Sequence, residues 1–131
     1  MSKKILVVED NPFSSSLYKN HLTKAGYSVQ IASDGRQALE YADSFYPQLI
    51  ILDLIIPKID GFAILKLLKS VKPHHLTPII VVSDLNQEED ISRCLDFGAT
   101  NYFSKSDLNY QDLISHITTL LLSPPASLFS K

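Results

Sequence analysis

An α/β fold, a five-stranded parallel sheet with helices on both faces, follows from three features of the sequence. Residues 5–8, 49–52 and 79–82 are short, continuously apolar runs rich in β-branched side chains, as expected of central parallel strands covered on both faces. Between the runs the apolar spacing changes to helical. Turn and cap residues fall at the junctions and not inside the elements.

The first helical segment places Leu17, Tyr18, His21, Leu22 and Ala25 on one face, and the second places Ala38, Leu39, Ala42 and Phe45 on one face. Later segments repeat the scheme at residues 62–71 and 91–97. A last one carries Leu113, Ile114, Ile117, Leu120 and Leu121 on a common stripe. Residues 29–31 and 102–103 supply two shorter strands. Asn11 and Pro12 can cap and start the first helix, and Gly26 can end it. Five βα units wind right-handed into a flavodoxin-like, doubly wound (βα)5 sheet of order 2-1-3-4-5, whose ligand site lies at the carboxyl ends of the strands.

Composition narrows the function. The 131 residues suit one domain, expected over residues 1–122, with the Pro- and Ser-rich stretch 123–131 as a tail or linker stub. Hydrophobic residues make up 45% of the chain and charged residues 20%, as in ordinary globular proteins. Twelve basic and 14 acidic residues give a net charge of −2 with no basic block, so no direct nucleic-acid contact is expected. No apolar run approaches the roughly 20 residues of a membrane span. No signal peptide is evident, and the lone Cys94 reads as a buried, reduced thiol. The expected location is the cytoplasm, without membrane insertion.

Chemistry-bearing residues stand at the strand ends. Glu9 and Asp10 follow the first apolar run, Asp53 the third strand, Ser83 the fourth and Lys105 the fifth. The strand order makes the first and third strands neighbours, so Glu9, Asp10 and Asp53 crowd three carboxylates together. A hard divalent cation would relieve their repulsion, and an all-oxygen ligand set suits Mg²⁺. A carboxylate can serve as nucleophile toward a phosphoryl group while a lysine and a hydroxyl hold its other oxygens, roles that fit Asp53, Lys105 and Ser83. His74 and His75 read as a solvated loop pair without a metal partner, and His21 and His116 as packing or edge-exposed residues and not the relay histidine of a phosphotransfer domain.

In this arrangement the chain resembles the receiver domain of two-component response regulators over approximately residues 3–122. The resemblance is carried by Val7-Val8-Glu9-Asp10-Asn11, by Asp53-Leu54-Ile55-Ile56-Pro57-Lys58-Ile59-Asp60-Gly61, by Ser83, and by Gly98-Ala99 leading to Tyr102 and Lys105. It implies that Asp53 is the phosphoacceptor and that Glu9, Asp10, Asp53 and the backbone carbonyl of Ile55 hold Mg²⁺. Lys105 and Ser83 then contact the phosphoryl group, and Ser83 and Tyr102 form the switch. The implied function is a phosphorylation-dependent signalling switch and not an enzyme, beyond self-phosphorylation and self-dephosphorylation. Its donor would be a sensor histidine kinase or a histidine phosphotransfer protein. Its downstream protein target would meet the surface around the fourth helix, fifth strand and fifth helix.

Two positions depart from the family pattern. Ser106 follows Lys105 where receivers usually carry proline, and Asp84 follows Ser83 where a small residue is usual. Asp84 is expected to face solvent. A haloacid-type phosphohydrolase would need an Asp where Ile55 stands, and a flavin carrier would not place Glu9 and Asp10 in its phosphate loop.

Overall fold

Strand and helix alternate throughout the computed structural model, which describes residues 2–70, 76–85 and 87–122. His74, His75 and the expected tail at 123–131 lie outside the described residues. The strands are β1 (Lys4–Val8), β2 (Ser28–Ala32), β3 (Leu49–Leu52), β4 (Ile79–Ser83) and β5 (Asn101–Ser104). The helices are α1 (Pro12–Lys24), α2 (Gly35–Phe45), α3 (Gly61–Ser70), α4 (Glu88–Asp96) and α5 (Tyr110–Leu122). All four strand pairings are parallel, in the order β2-β1-β3-β4-β5 expected from the sequence.

Both sheet faces are buried, which explains why β1, β3 and β4 show no alternation in sequence. Leu6, Val8, Ile50, Leu52, Ile79 and Val81 face a core shared with α2, α3 and α4. Ile5, Val7, Leu49, Ile51, Ile80 and Val82 face the opposite core, which includes Tyr18 and Leu22 of α1 and Leu113 and Ile117 of α5. Cys94 is fully buried, and that burial pushes its thiol pKa up to about 11, in keeping with an unreactive thiol.

Helix ends follow local chemistry. The Asn11 side chain accepts from the Ser14 amide at 3.0 Å, with Pro12 as the first helical residue. Gly26, at φ +99°, closes α1 by donating to Thr23 O while Tyr27 donates to Leu22 O. Gly98, at φ +106°, ends α4 in the same way, through Gly98 to Leu95 O and Ala99 to Cys94 O. Ala25, expected on the buried face of α1, is instead its exposed C-terminal cap. Helix α4 begins three residues before the expected 91, because its first turn is Glu88, Glu89 and Asp90. Those acids suit the positive end of the helix dipole but carry no apolar period.

The loop after β3 is fixed by close backbone approach at Gly61. A Cβ there would lie 2.4 Å from Leu54 Cα, and the Gly61 amide donates to Leu54 O at 3.2 Å. Gly61→Ala must therefore push α3 away from the loop that follows Asp53. A loss of about 1–3 kcal/mol is expected in urea denaturation, as for overpacking of a tight site; an unchanged midpoint would show that the loop yields freely.

Candidate functional site

Register brings the acidic residues together. Val8 of β1 pairs with Leu52 of β3, so Glu9 and Asp53 leave neighbouring strands side by side. The ladder continues past the strands: the Glu9 amide donates to Ala32 O at 2.9 Å and the Asp53 amide to Val8 O at 3.1 Å. The main chain of both residues is thereby fixed, and both are buried, Glu9 at 2% and Asp53 at 6% exposure. Asp10, the next residue along, is exposed.

Lys105 closes the site from β5. Its Nζ lies 2.7 Å from Glu9 Oε1 and 2.9 Å from Asp53 Oδ2, one ammonium shared by two buried carboxylates. Backbone amides complete the pair: Asn11 donates to Glu9 Oε2 at 3.1 Å and Ile55 to Asp53 Oδ1 at 3.0 Å. Burial raises the Glu9 pKa above its ordinary 4.5, against the pull of Lys105 and the Asn11 amide. For Lys105, burial opposes the charge, but Glu9 and Asp53 together outweigh it and hold the ammonium above the ordinary lysine range.

A cavity of about 420 Å³ opens over this pair, lined by residues that include Asp10, Asn11, Asp53, Ile55, Asp84 and Lys105. One carboxylate oxygen from each of Glu9, Asp10 and Asp53 lies within 4.8 Å of the other two. Although Glu9 Oε1 touches Lys105, the contact is not aligned as a hydrogen bond, leaving a buried oxygen with unused acceptor capacity. An all-oxygen donor set with such an oxygen fits a hard divalent cation.

The expected switch residues touch each other. Ser83 is fully buried, and its Oγ accepts from the Leu85 amide at 3.3 Å. The hydroxyl of Tyr102 donates to the Ser83 carbonyl oxygen at 3.2 Å. The Ile55 side chain is 56% exposed at the cavity rim. Asp84 is exposed, as expected, but it also lines the cavity mouth. His21 and His116 pack against rings, on Tyr110 and Phe103 respectively. What sequence reading missed is the Asn11 amide on Glu9, and Tyr18 and Tyr110 behind Lys105. The first follows from a two-residue spacing that many turns share, and the second needs α1 and α5 packed side by side.

A family model described as the response regulator receiver domain matches residues 5–118. The chain is 39% identical over 105 residues to the alkaline phosphatase synthesis transcriptional regulatory protein PhoP of Bacillus subtilis, covering 80% of this chain and 43% of that protein. It spans about half the length of the first curated relatives it matches, 43%, 48% and 51%. The receiver domain of a signal transduction histidine kinase from Syntrophus aciditrophicus superposes with a TM-score of 0.84 at 32% identity, covering 92% of this chain and 90% of that one. The receiver domain of a sensor histidine kinase from Pseudomonas aeruginosa, solved with a magnesium ion coordinated in its active site cleft, gives 0.84 at 26% identity and covers 94% and 100%.

The raised Glu9 pKa has a measurable sign. The folded protein holds this proton more tightly than the unfolded chain does, so Glu9 makes stability fall as pH rises from 4.5 through its raised value. In metal-free buffer, the stability of Glu9→Gln relative to the parent is expected to improve steadily across that window. A difference that does not change with pH would mean that Glu9 titrates as an ordinary carboxyl.

Proposed function

The chain belongs to the response regulator receiver domain family, and from this premise we propose that it is a Mg²⁺-dependent switch that accepts a phosphoryl group on Asp53. The observation that carries the reading is Asp53 beside Lys105 at 2.9 Å, within 4.8 Å of one carboxylate oxygen from each of Glu9 and Asp10 and beneath an open cavity.

Glu9, Asp10, Asp53 and the backbone carbonyl of Ile55 would hold the cation. Bound there, Mg²⁺ would neutralise charge on the nucleophile and on the phosphoryl oxygens. The Asp53 carboxylate attacks phosphorus as the bond from phosphorus to the donor's histidine nitrogen breaks, and the electron pair leaves on the imidazole. Lys105, already placed against Asp53, then donates to a phosphoryl oxygen and keeps its charge compensated. A sensor histidine kinase or a histidine phosphotransfer protein would serve as donor in the cytoplasm. Catalysis would extend no further than the domain's own phosphorylation and dephosphorylation.

Transmission runs through contacts already present. Ser83 Oγ accepts from the Leu85 amide, which leaves its O–H to donate to a charged phosphoryl oxygen. Any movement of the Ser83 backbone displaces the carbonyl that holds the Tyr102 hydroxyl, and so biases the position of Tyr102 on the edge strand β5. The protein target would read that change on the α4-β5-α5 face, without direct nucleic-acid contact by this domain.

Beryllofluoride, a phosphoryl mimic, tests these assignments. With Mg²⁺ it is expected to bind one per chain and to shift NMR signals at Ser83, Tyr102 and Lys105. Asp53→Asn should abolish binding. Lys105→Ala should weaken it by about tenfold or more without loss of Mg²⁺ affinity, since removing the ammonium leaves the Glu9 and Asp53 carboxylates more negative. Parent-like binding by Asp53→Asn would remove Asp53 as the acceptor.

A further inference from the structure

Lys105 reaches Glu9 and Asp53 on a flexible four-carbon stem, so its placement depends on how firmly the backbone after β5 is held. Receivers usually fix this point with proline, but here the next residue is Ser106. The turn Lys105–Asp107 is a single 3₁₀ turn closed by the Leu108 amide on Lys105 O at 3.3 Å. Ser106 meets Ser104 through their hydroxyls at 3.2 Å, yet Ser106 and Asp107 are both exposed. The serine pair stays within the turn, and only Leu108, half-buried, packs against the core that α1 and α5 share.

A second, aromatic anchor comes at Tyr110, the first residue of α5. Its ring stacks on His21 with centroids 4.3 Å apart and planes 8° from parallel, and it meets Tyr18 edge to face at 5.6 Å and 78°. Both partners belong to α1, and Tyr18 is buried, so the ring is tied to a helix that begins two residues after Asp10. Asn109 caps α5 directly before it, accepting from the Gln111 and Asp112 amides at 2.9 and 3.1 Å. Tyr110, Tyr18, Leu108 and Lys105 line one cavity of about 190 Å³, which places the aromatic pair alongside the lysine. The Tyr110 phenol is itself held above its ordinary pKa by burial and then by Glu9, with Lys105 opposing, so it senses the charges of the site.

We propose that Tyr110, clamped between His21 and Tyr18, is the positioning residue for Lys105, supplying through α1 the rigidity that a proline after the lysine would otherwise give. It acts through its ring and not its hydroxyl. The role rests on the reading of Lys105 as the phosphoryl contact only for its effect on the mimic, and not for the ion pair itself.

Two readouts separate these levels. In metal-free protein, the ¹⁵Nζ–¹H signal of Lys105 reports an ammonium protected from exchange by its two carboxylates. That signal is expected to persist in Tyr110→Phe and to vanish in Tyr110→Ala. With Mg²⁺ present, Tyr110→Ala should weaken beryllofluoride binding by about ten- to a hundredfold, the range of a misplaced contact group, and leave Mg²⁺ affinity within about twofold. In a Lys105→Ala background the same change should cost nothing further, because the coupling is through the lysine. Should Tyr110→Ala not fold, His21→Ala removes the stacking partner alone and is expected to broaden the Lys105 signal and weaken the mimic severalfold. An intact Lys105 signal in whichever of these two variants folds would overturn the proposal. Equal losses of affinity with and without Lys105 would do the same. If Lys105→Ala has no effect on the mimic while Tyr110→Ala still abolishes the lysine signal, the positioning role stands and the phosphoryl contact falls.

Discussion

One ammonium group between two buried carboxylates is the constraint around which this protein is organised. Glu9 and Asp53 leave adjacent parallel strands at the same level and are almost wholly withdrawn from water. Without Lys105, 2.7 and 2.9 Å away, their mutual repulsion and desolvation would oppose the strand register that brings them together. With it, the pair is tolerated but not neutralised. Two carboxylates share one positive charge, Asp10 adds a third negative group, and Glu9 keeps an oxygen outside any aligned hydrogen bond. Residual negative charge at a fixed place makes the site receptive to a divalent cation.

The rest of the fold supplies rigidity in proportion to the need. Strands β1, β3 and β4 are buried on both faces, and the carboxylates of Glu9 and Asp53 are further held by amides of their own loops. Gly61, pressed against Leu54, closes the loop after Asp53. By contrast β5 is a half-buried edge strand, so the lysine and the aromatic it carries are placed by side-chain contacts: Tyr102 by the Ser83 carbonyl, and Lys105 by its ion pairs and the Tyr110 clamp. The carboxylate side is held by backbone on both flanks, and the β5 side by side chains.

Much of this was legible in the sequence for a simple reason. Central parallel strands read as unbroken apolar runs; Glu9, Asp10 and Asp53 come just after such runs, Ser83 ends β4, and Lys105 follows the shorter β5. Position in sequence therefore translated into position on one rim. Helix ends were read less well: α4 begins with three acids that carry no period, and Ala25 fits the α1 face by spacing yet is the C-terminal cap of that helix. Orientation was hidden entirely. Residue type says that Ser83 can hold an oxygen, but not that its hydroxyl accepts from Leu85; nor does any spacing reveal that His21 lies flat on Tyr110, 89 positions along the chain. Such contacts depend on which helices pack together and on rotamers, which local pattern does not encode.

The central claim, that Asp53 carries the phosphoryl group, can be tested on the covalent product itself. The protein is incubated with Mg²⁺ and a small-molecule phosphodonor, reduced with borohydride, digested and sequenced by mass spectrometry. An acyl phosphate is reduced to the alcohol, so the account predicts homoserine in place of Asp53, dependent on Mg²⁺ and confined to that position. Homoserine at Asp10 or Asp84 with Asp53 intact, or no reduced residue after incubation with phosphodonor and Mg²⁺, would contradict it.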